Sequence, residues 1–491
     1  MTHRSDPGDR SVWAPSQRLL TVGLVGLVTA VAFEGMAVPT ILPAMVAELG
    51  QLELYGWAFS AFWLTNIIGI TLGGGDADRH GPGRAFAVGV ALFAGGLLIS
   101  GMAGSMPTVI LGRAVQGFGS GALGAVVYVV IARGYGPAAM PRMIAFLSSA
   151  WVVPGLVGPA VAGLVAEQLS WRWVFAGLVP VVLLMGLGVL RPIAALGRSS
   201  EASAAGPERS GPEPSGRGRR AIEALRLALG STVMLAGLSA REPIVAAPLL
   251  LVGAWLSIWS LRRLLPLGSL VARPGRPAVV ALMFLVAFAF FGTEAFVPLA
   301  VTTVRGASTV IGGLALSAAA VTWGLGSWLP AHLGGRSVRR QLVGGGAGLV
   351  AVGISLTALV LLPGLPIAMA AIGWAVAGLG MGLAYSTLSI LVLETAEPGQ
   401  EGASSSALQL MFTLGTALGA GSGGALVALS EAGVVSLSTA IALADGLMVA
   451  AALLVVALAR RVPAQAPRPA AARRDRHVAS PAGAVGLAEE S

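Results

Sequence analysis

Apolar runs long enough to cross a membrane recur along almost the whole chain, and no other feature constrains its fold as strongly. Bounded by Gly, Pro and charged residues, they fall at 19–46, 56–75, 85–105, 108–134, 143–166, 172–191, 224–240, 244–262, 277–301, 309–331, 342–362, 366–394, 404–429 and 436–459. A transmembrane helix needs about 20 predominantly apolar residues. Only 11% of the 491 residues are charged, against about 25% in a typical soluble domain, so the chain cannot cover such a core with a water-facing surface. The expectation is an all-α polytopic membrane protein with 14 transmembrane helices, 12 being the alternative. The first run is longer than a signal-peptide core and no small-residue cleavage site follows it, so it reads as a retained first helix.

Two absences narrow the chemistry. There is no cysteine, which excludes disulfides, thiolate metal sites and thiol catalysis. All 31 basic residues are arginine, and a phosphate-binding P-loop or a Schiff base would require lysine. His3, His80, His332 and His477 lie far apart in sequence. No metal or other cofactor is expected, and no nucleophile–base arrangement suggests an enzyme.

In a soluble protein the net charge of +9 would point to nucleic acid. Here the arginines follow topology instead. With the N-terminus inside, the cytoplasmic segments hold 26 of them, the external loops hold Arg172, Arg241 and Arg305, and Arg113 and Arg226 fall within spans. This is a strong positive-inside bias. It places both termini in the cytoplasm and gives no reason to expect a nucleic-acid partner. Span 224–240 is the weakest, yet dropping it alone would invert every arginine cluster downstream, so 224–240 and 244–262 cross together or not at all.

The expected organisation is an N-terminal tail (1–18), a six-helix half (19–191), a cytoplasmic linker (192–223), an inserted helix pair (224–262), a cytoplasmic loop (263–276), a second six-helix half (277–461) and a disordered tail (462–491). Gly197 to Arg220 contains no aliphatic side chain larger than alanine, so it cannot build a packed core. An internal repeat supports the two halves. Gly112-Arg-Ala-Val-Gln-Gly-Phe-Gly-Ser-Gly121 matches Gly373-Trp-Ala-Val-Ala-Gly-Leu-Gly-Met-Gly382, and Gly158 and Gly163 recur as Gly419 and Gly424, each pair 261 residues apart. Phe33-Glu34 with Pro39 resembles Thr293-Glu294 with Pro298 at nearly the same offset. The fold is therefore read as two parallel-repeat halves plus a two-helix insertion, and transporters built from such repeats place the substrate between them near mid-membrane.

Glu34 lies about 15 residues into the first span, and Glu294 is its counterpart in the ninth. Low dielectric penalises a charged carboxyl, so acids at this depth suit proton exchange, the alternative being a static buried pair. Arg113 in the fourth span must meet a carboxylate, a carbonyl or water, and Gln116 lies one turn away on the same face. Asp445, in the last span, is a secondary candidate alongside Gln116, able either to face a cavity or to bond a neighbouring helix. In the fifth span Gly158, Pro159 and Gly163 allow close helix approach and a bend. Between spans two and three, Asp78, Arg79, Gly81 and Arg84 sit in a glycine-rich stretch, Gly73–Arg84, that reads as a tight cytoplasmic turn. Asp78 could there cap a helix N-terminus. Trp323, Trp374 and Tyr385 could line an aromatic cation site, although packing is the commoner use of such residues.

Taken together these residues resemble the major facilitator superfamily, and within it the fourteen-helix drug:proton antiporters. Asp78-Arg79-His-Gly81 with Arg84 resembles the family's loop 2–3 signature, and Leu111-Gly-Arg113-Ala-Val-Gln116-Gly resembles its span-four signature, whose arginine is implicated in proton coupling. Gly158-Pro159-Ala-Val-Ala-Gly163 resembles the span-five antiporter motif, and Glu34 with Ile-Leu-Pro43 resembles the span-one motif. Glu34 stands where the family usually has aspartate, Asp76 where it has leucine, Pro82-Gly83 where it has basic residues, and Ala162 where it has glycine. The resemblance implies a proton-driven exporter of lipophilic, often cationic small molecules that works by alternating access, with Glu34, Arg113 and Glu294 coupling protons and loop 2–3 gating. Export of one endogenous metabolite or lipid is the nearest alternative, and a non-transporting sensor or scaffold a further one. The implied partners are the substrate, protons and the lipid bilayer, with the protein functional as a monomer. An arginine-only basic set with abundant Ala and Gly suits a GC-rich bacterial genome, and hence the bacterial inner (cytoplasmic) membrane.

Overall fold

A computed structural model of the chain describes residues 12–15, 17–136, 139–203, 214–332, 336–397 and 400–463. Among them there is no strand, and fourteen helices are long and apolar enough to cross a membrane. They are α1 (Arg18–Leu49), α2 (Tyr55–His80), α3 (Pro82–Gly101), α4 (Met106–Gly134), α5 (Met140–Ser149 and Val152–Gln168), α6 (Arg172–Ala176 and Leu178–Ser203) and α7 (Pro214–Ser239). There follow α8 (Pro243–Leu264), α9 (Arg276–Glu294, then Val297–Leu299 and a π-turn Ala300–Val304), α10 (Thr309–His332), α11 (Arg336–Ala358), α12 (Ala368–Glu394), α13 (Glu401–Glu431) and α14 (Leu437–Leu458).

The repeated glycine motif explains how each half is built. It lies on α4 and again on α12, and in each case its glycines face two neighbouring helices alternately. Gly117 and Gly121 abut the backbone of Phe62 and Asn66 on α2, while Gly112 and Gly119 abut Ser100 and Phe93 on α3. In the second half Gly378 and Gly382 abut Ala319 and Trp323 on α10, while Gly373 and Gly380 abut Thr357 and Val350 on α11. Every one of these partner pairs is 257 residues apart, so the repeat extends to helices whose sequences show no obvious likeness. A side chain at any of these glycines would collide with backbone. Without a hydrophobic force between helices in lipid, such close contact supplies the packing.

Two helix breaks have local causes. Proline lacks an N–H for the carbonyl four residues earlier and crowds it. Pro154 withdraws the partner of Ala150, where α5 is interrupted, and Pro298 withdraws that of Glu294, where the long segment of α9 ends. Pro159, expected to bend the fifth span, lies inside a continuous segment, as do Pro39 and Pro43 in α1.

The connections depart from expectation in two places. Gly73–Arg84 is not a glycine-rich turn: α2 stays helical through His80 and α3 begins at Pro82, with Gly81 alone reversing the chain at φ 81°. That positive φ favours glycine. Asp78 accordingly sits in the last turn of α2 and does not cap α3. In the expected linker, α6 continues to Ser203 and α7 starts at Pro214. The small and charged residues there cannot form a core, while the arginines, Glu201 and Ala202 are good helix formers. Residues 204–213 lie outside the described residues, as do 1–11 and 16 of the N-terminal tail, 464–491 of the C-terminal tail, and with them His3 and His477. Ends of both tails that are described pack on the bundle: Thr21 donates to the carbonyl of buried Val12 at 2.8 Å, and Arg340 donates to that of buried Val462 at 3.0 Å.

Candidate functional site

Three helices of the first half converge on Arg113. From α4 the guanidinium forms a buried ion pair with Glu34 of α1 through Nη1 and Oε1, and the same Nη1 donates to Gln116 Oε1 at 2.8 Å. Its Nε donates to the carbonyl of Ala58 on α2 at 3.2 Å, and its Cζ stands 4.4 Å from the centroid of the Phe62 ring. Glu34 and Gln116 are fully buried and Arg113 is 1% exposed. Two polar atoms of the cluster, Glu34 Oε2 and Gln116 Nε2, are buried with no hydrogen-bond partner among the described residues. The structure thus brings together Glu34, Arg113 and Gln116, which sequence singled out separately.

The second half lacks this pair. The repeat places Trp374 where the first half has Arg113, and Ala377 where it has Gln116. Trp374 is fully buried and stacks on Phe290 of α9, ring centroids 4.6 Å apart. Glu294 is left partly exposed, with no ion pair or hydrogen bond among the described residues, at the end of the segment that Pro298 terminates. Glu34 and Glu294 are therefore chemically different sites, and the structure does not join them.

Beside Glu294 lies an aromatic cluster drawn from both halves. Phe290 and Phe291 precede Glu294 by one helical turn, and so share its face. Phe291 meets Trp323 at 6.1 Å, Phe412 at 5.3 Å and Trp63 of α2 at 6.4 Å between centroids. Tyr385 joins Trp323 at 5.8 Å to Phe412 at 5.4 Å. Trp63, Trp323, Tyr385 and Phe412 each remain partly accessible. Phe62 touches both Trp63, at 5.3 Å, and Arg113, so the cluster is continuous with the ion pair. Trp323, Trp374 and Tyr385 were visible in the sequence only as ambiguous aromatics. Trp63, Phe291 and Phe412 carried no signal at all, because they converge from three separate helices.

Asp445 belongs elsewhere. It is 5% exposed, accepts a hydrogen bond from Thr293 at 3.1 Å, and lines a small pocket with Thr357, Phe296 and Ile441 between α9, α11 and α14. Its contact is therefore to the residue before Glu294, not to the aromatic cluster.

The fifth-span motif lies on the seam between the halves. Gly158 faces the Phe33 ring of α1, and Gly163 abuts Thr309 and Val310 of α10, while Gly313 of α10 abuts the backbone of Pro159. The second half mirrors this, Gly424 and Ala420 of α13 meeting Gly56 of α2. Hydrogen bonds cross the same end of the seam: Tyr55 to the carbonyl of Ala295 at 2.8 Å, Ser60 to that of Ala417 at 2.7 Å, and the Val310 amide to Glu167 at 3.0 Å. Asp78, Arg79, Gly81 and Arg84 sit at the opposite end. There Asp76 contacts His80 at 2.8 Å and Arg84 at 3.8 Å.

Fourteen membrane-length helices, with a repeated glycine framework on α4 and α12 and a buried ion pair between α1 and α4, define a polytopic membrane protein. The family model described as Major Facilitator Superfamily matches residues 23–362, and the chain belongs to that family. It is 26% identical over 447 residues to a Mycobacterium tuberculosis protein named "Probable multidrug-efflux transporter", covering 88% of this chain and 93% of the relative. It is also 26% identical over 176 residues to Multidrug resistance protein 3 of Bacillus subtilis, about a third of each chain (36% and 34%). Among solved structures, a peptide transporter POT in complex with sulfate superposes with TM-score 0.62 at 14% identity, covering 92% of this chain and 96% of that one. A D-xylose-proton symporter gives 0.59 at 16%, covering 91% and 97%. The fold is that of this family, and the chain is a membrane transporter of small molecules.

Proposed function

We propose that the chain is a proton-coupled exporter, a drug:proton antiporter, of lipophilic and often cationic small molecules that works by alternating access between its two halves. The observation that carries this is the buried Glu34–Arg113 pair with its unpartnered carboxylate oxygen. A proton arriving at Oε2 neutralises the counter-charge of Arg113 and leaves the guanidinium with neutral partners alone: the Glu34 Oε1 oxygen, Gln116, the Ala58 carbonyl and the Phe62 ring. A buried charge that loses its partner is costly, so protonation favours whichever arrangement of α1, α2 and α4 hydrates or re-pairs Arg113. Proton occupancy is thereby tied to helix position.

The substrate end of the exchange is read from Glu294 and the ring faces beside it. A cation over aromatic faces is attracted by their quadrupoles, and an unpaired carboxylate adds charge complementarity. The multidrug-efflux names of the relatives support a broad substrate range. In this reading the face bearing the N-terminus and most arginines is cytoplasmic, the membrane is the bacterial inner membrane, and the protein acts as a monomer. External protons load Glu34 as substrate leaves outward, and release toward the cytoplasm restores the pair.

The test is reconstitution into proteoliposomes with an acidic interior, following a lipophilic fluorescent cation and internal pH together. In vesicles oriented with the cytoplasmic face outward, the account expects the dye to accumulate while protons leave in proportion. Dye movement that ignores the gradient, in protein shown to be folded, contradicts it.

A further inference from the structure

The inserted pair α7–α8 carries a feature that transport through the two halves does not use. At the N-terminal face Glu223 is 2% exposed and accepts from Arg226 at 3.1 Å and Arg263 at 2.6 Å. Arg263 in turn lies 4.5 Å from the centroid of the Trp259 ring. Arg219, Arg220, Glu223, Arg263 and Leu264 line a pocket between the two helices. Arg219 and Arg220 are exposed and have no ion pair or hydrogen bond among the described residues. Glu223 takes both of its arginines at Oε1 and keeps Oε2 buried without a partner, so the unneutralised guanidinium groups at the pocket are those of Arg219 and Arg220.

We infer that this pocket binds the phosphate of an anionic phospholipid. Guanidinium forks match phosphate oxygens in bidentate geometry, and basic pockets between membrane helices on the cytoplasmic side suit lipid headgroups. The surface running away from the pocket fits the rest of that ligand. Ile222, Leu225 and Leu229 form one exposed stripe on α7 (50–54% exposed), and Trp255 and Trp259, 5.7 Å apart and both exposed, form another on α8. Acyl chains lying along these stripes place the headgroup at Arg219, Arg220 and Arg263, with Trp259 beside Arg263 at the interface. A free phosphate would engage the same guanidiniums but leave the apolar stripes unused. The assignment does not depend on proton coupling, and gives the inserted pair a role in seating the transporter in an anionic leaflet.

The test uses the full-length protein in detergent, with lipid retention read by native mass spectrometry. Phosphatidylglycerol and phosphatidylcholine of the same chain length are offered to wild type and to the double variant Arg219→Gln/Arg220→Gln. Neither arginine holds another residue, so the variant should fold, which its melting temperature checks. Arg241→Gln, at the opposite face, is the control. Wild type and control should retain phosphatidylglycerol in preference to phosphatidylcholine, and the double variant should lose on the order of tenfold or more of that preference. Equal retention of the two lipids by wild type, or an unchanged preference in the variant, overturns the assignment. Inorganic phosphate that raises the melting temperature where phosphatidylglycerol does not would replace it with a soluble-anion site.

Discussion

Glu34 is held by one carboxylate oxygen and leaves the other unpartnered, which makes its substitutions separable. Glu34→Gln keeps a side-chain oxygen for Arg113 and imitates the protonated state, so it should fold normally. Glu34→Ala removes the acceptor oxygen as well as the counter-charge, leaves a buried guanidinium N–H unpaired and should destabilise the protein by about 3–5 kcal/mol, read as a lower melting temperature than that of Glu34→Gln. Equal melting temperatures would show that the pair does not hold the helices. Arg113→Lys keeps the charge but loses the planar group that reaches Glu34, Gln116 and Ala58 at once; coupled transport should fall tenfold or more. Glu294→Gln should weaken export of cations while sparing neutral lipophiles, and a uniform loss across both would remove Glu294 from substrate recognition. Glu34, Arg113 and Gln116 could be found from sequence because charge deep in an apolar run is conspicuous. Trp63, Phe291 and Phe412 could not, because an aromatic residue in an apolar helix is ordinary until neighbouring helices bring several together.

The helix is the scale at which the glycine repeat acts. Gly117 on α4 and Gly378 on α12 hold equivalent positions against α2 and α10, whereas Gly124 on α4 has nothing within 4 Å of a modest side chain. Gly117→Ala and Gly378→Ala should each destabilise by about 1–3 kcal/mol, the usual cost of overpacking, and Gly124→Ala should be neutral, as thermal unfolding in detergent would show. Matching losses at the two equivalent sites would bear out the repeat energetically; a neutral Gly378→Ala would confine it to sequence. Element count and the α4–α12 correspondence were legible in the sequence, since apolar length and spaced glycines are local signals. The breaks at Ala150 and Glu294 were not, because many prolines in these runs leave the helix intact. The end of α2 is hidden for a related reason: glycines that look like a turn are compatible with a membrane helix when neighbours pack closely against it, as Ala122 does at Gly73.

For the whole molecule, glycine contacts and hydrogen bonds close the seam at the end away from the N-terminus, along both α2–α13 and α5–α10. Alternating access requires that closure to open. The chain has no cysteine, so the pair Glu167→Cys and Val310→Cys, across the same seam, can be introduced without background. Cross-linking it should halt transport, and reduction should restore it. Transport that continues while cross-linked would mean that this end need not open. The central claim, that Glu34 couples proton movement to substrate movement, is tested most directly by comparing two modes of transport in Glu34→Gln proteoliposomes. Exchange of labelled for unlabelled cation at equal pH needs substrate binding and the conformational change but no proton turnover. Uphill accumulation driven by a pH gradient needs all three. The account predicts exchange close to that of wild type with accumulation abolished, and accumulation that persists in Glu34→Gln would contradict it.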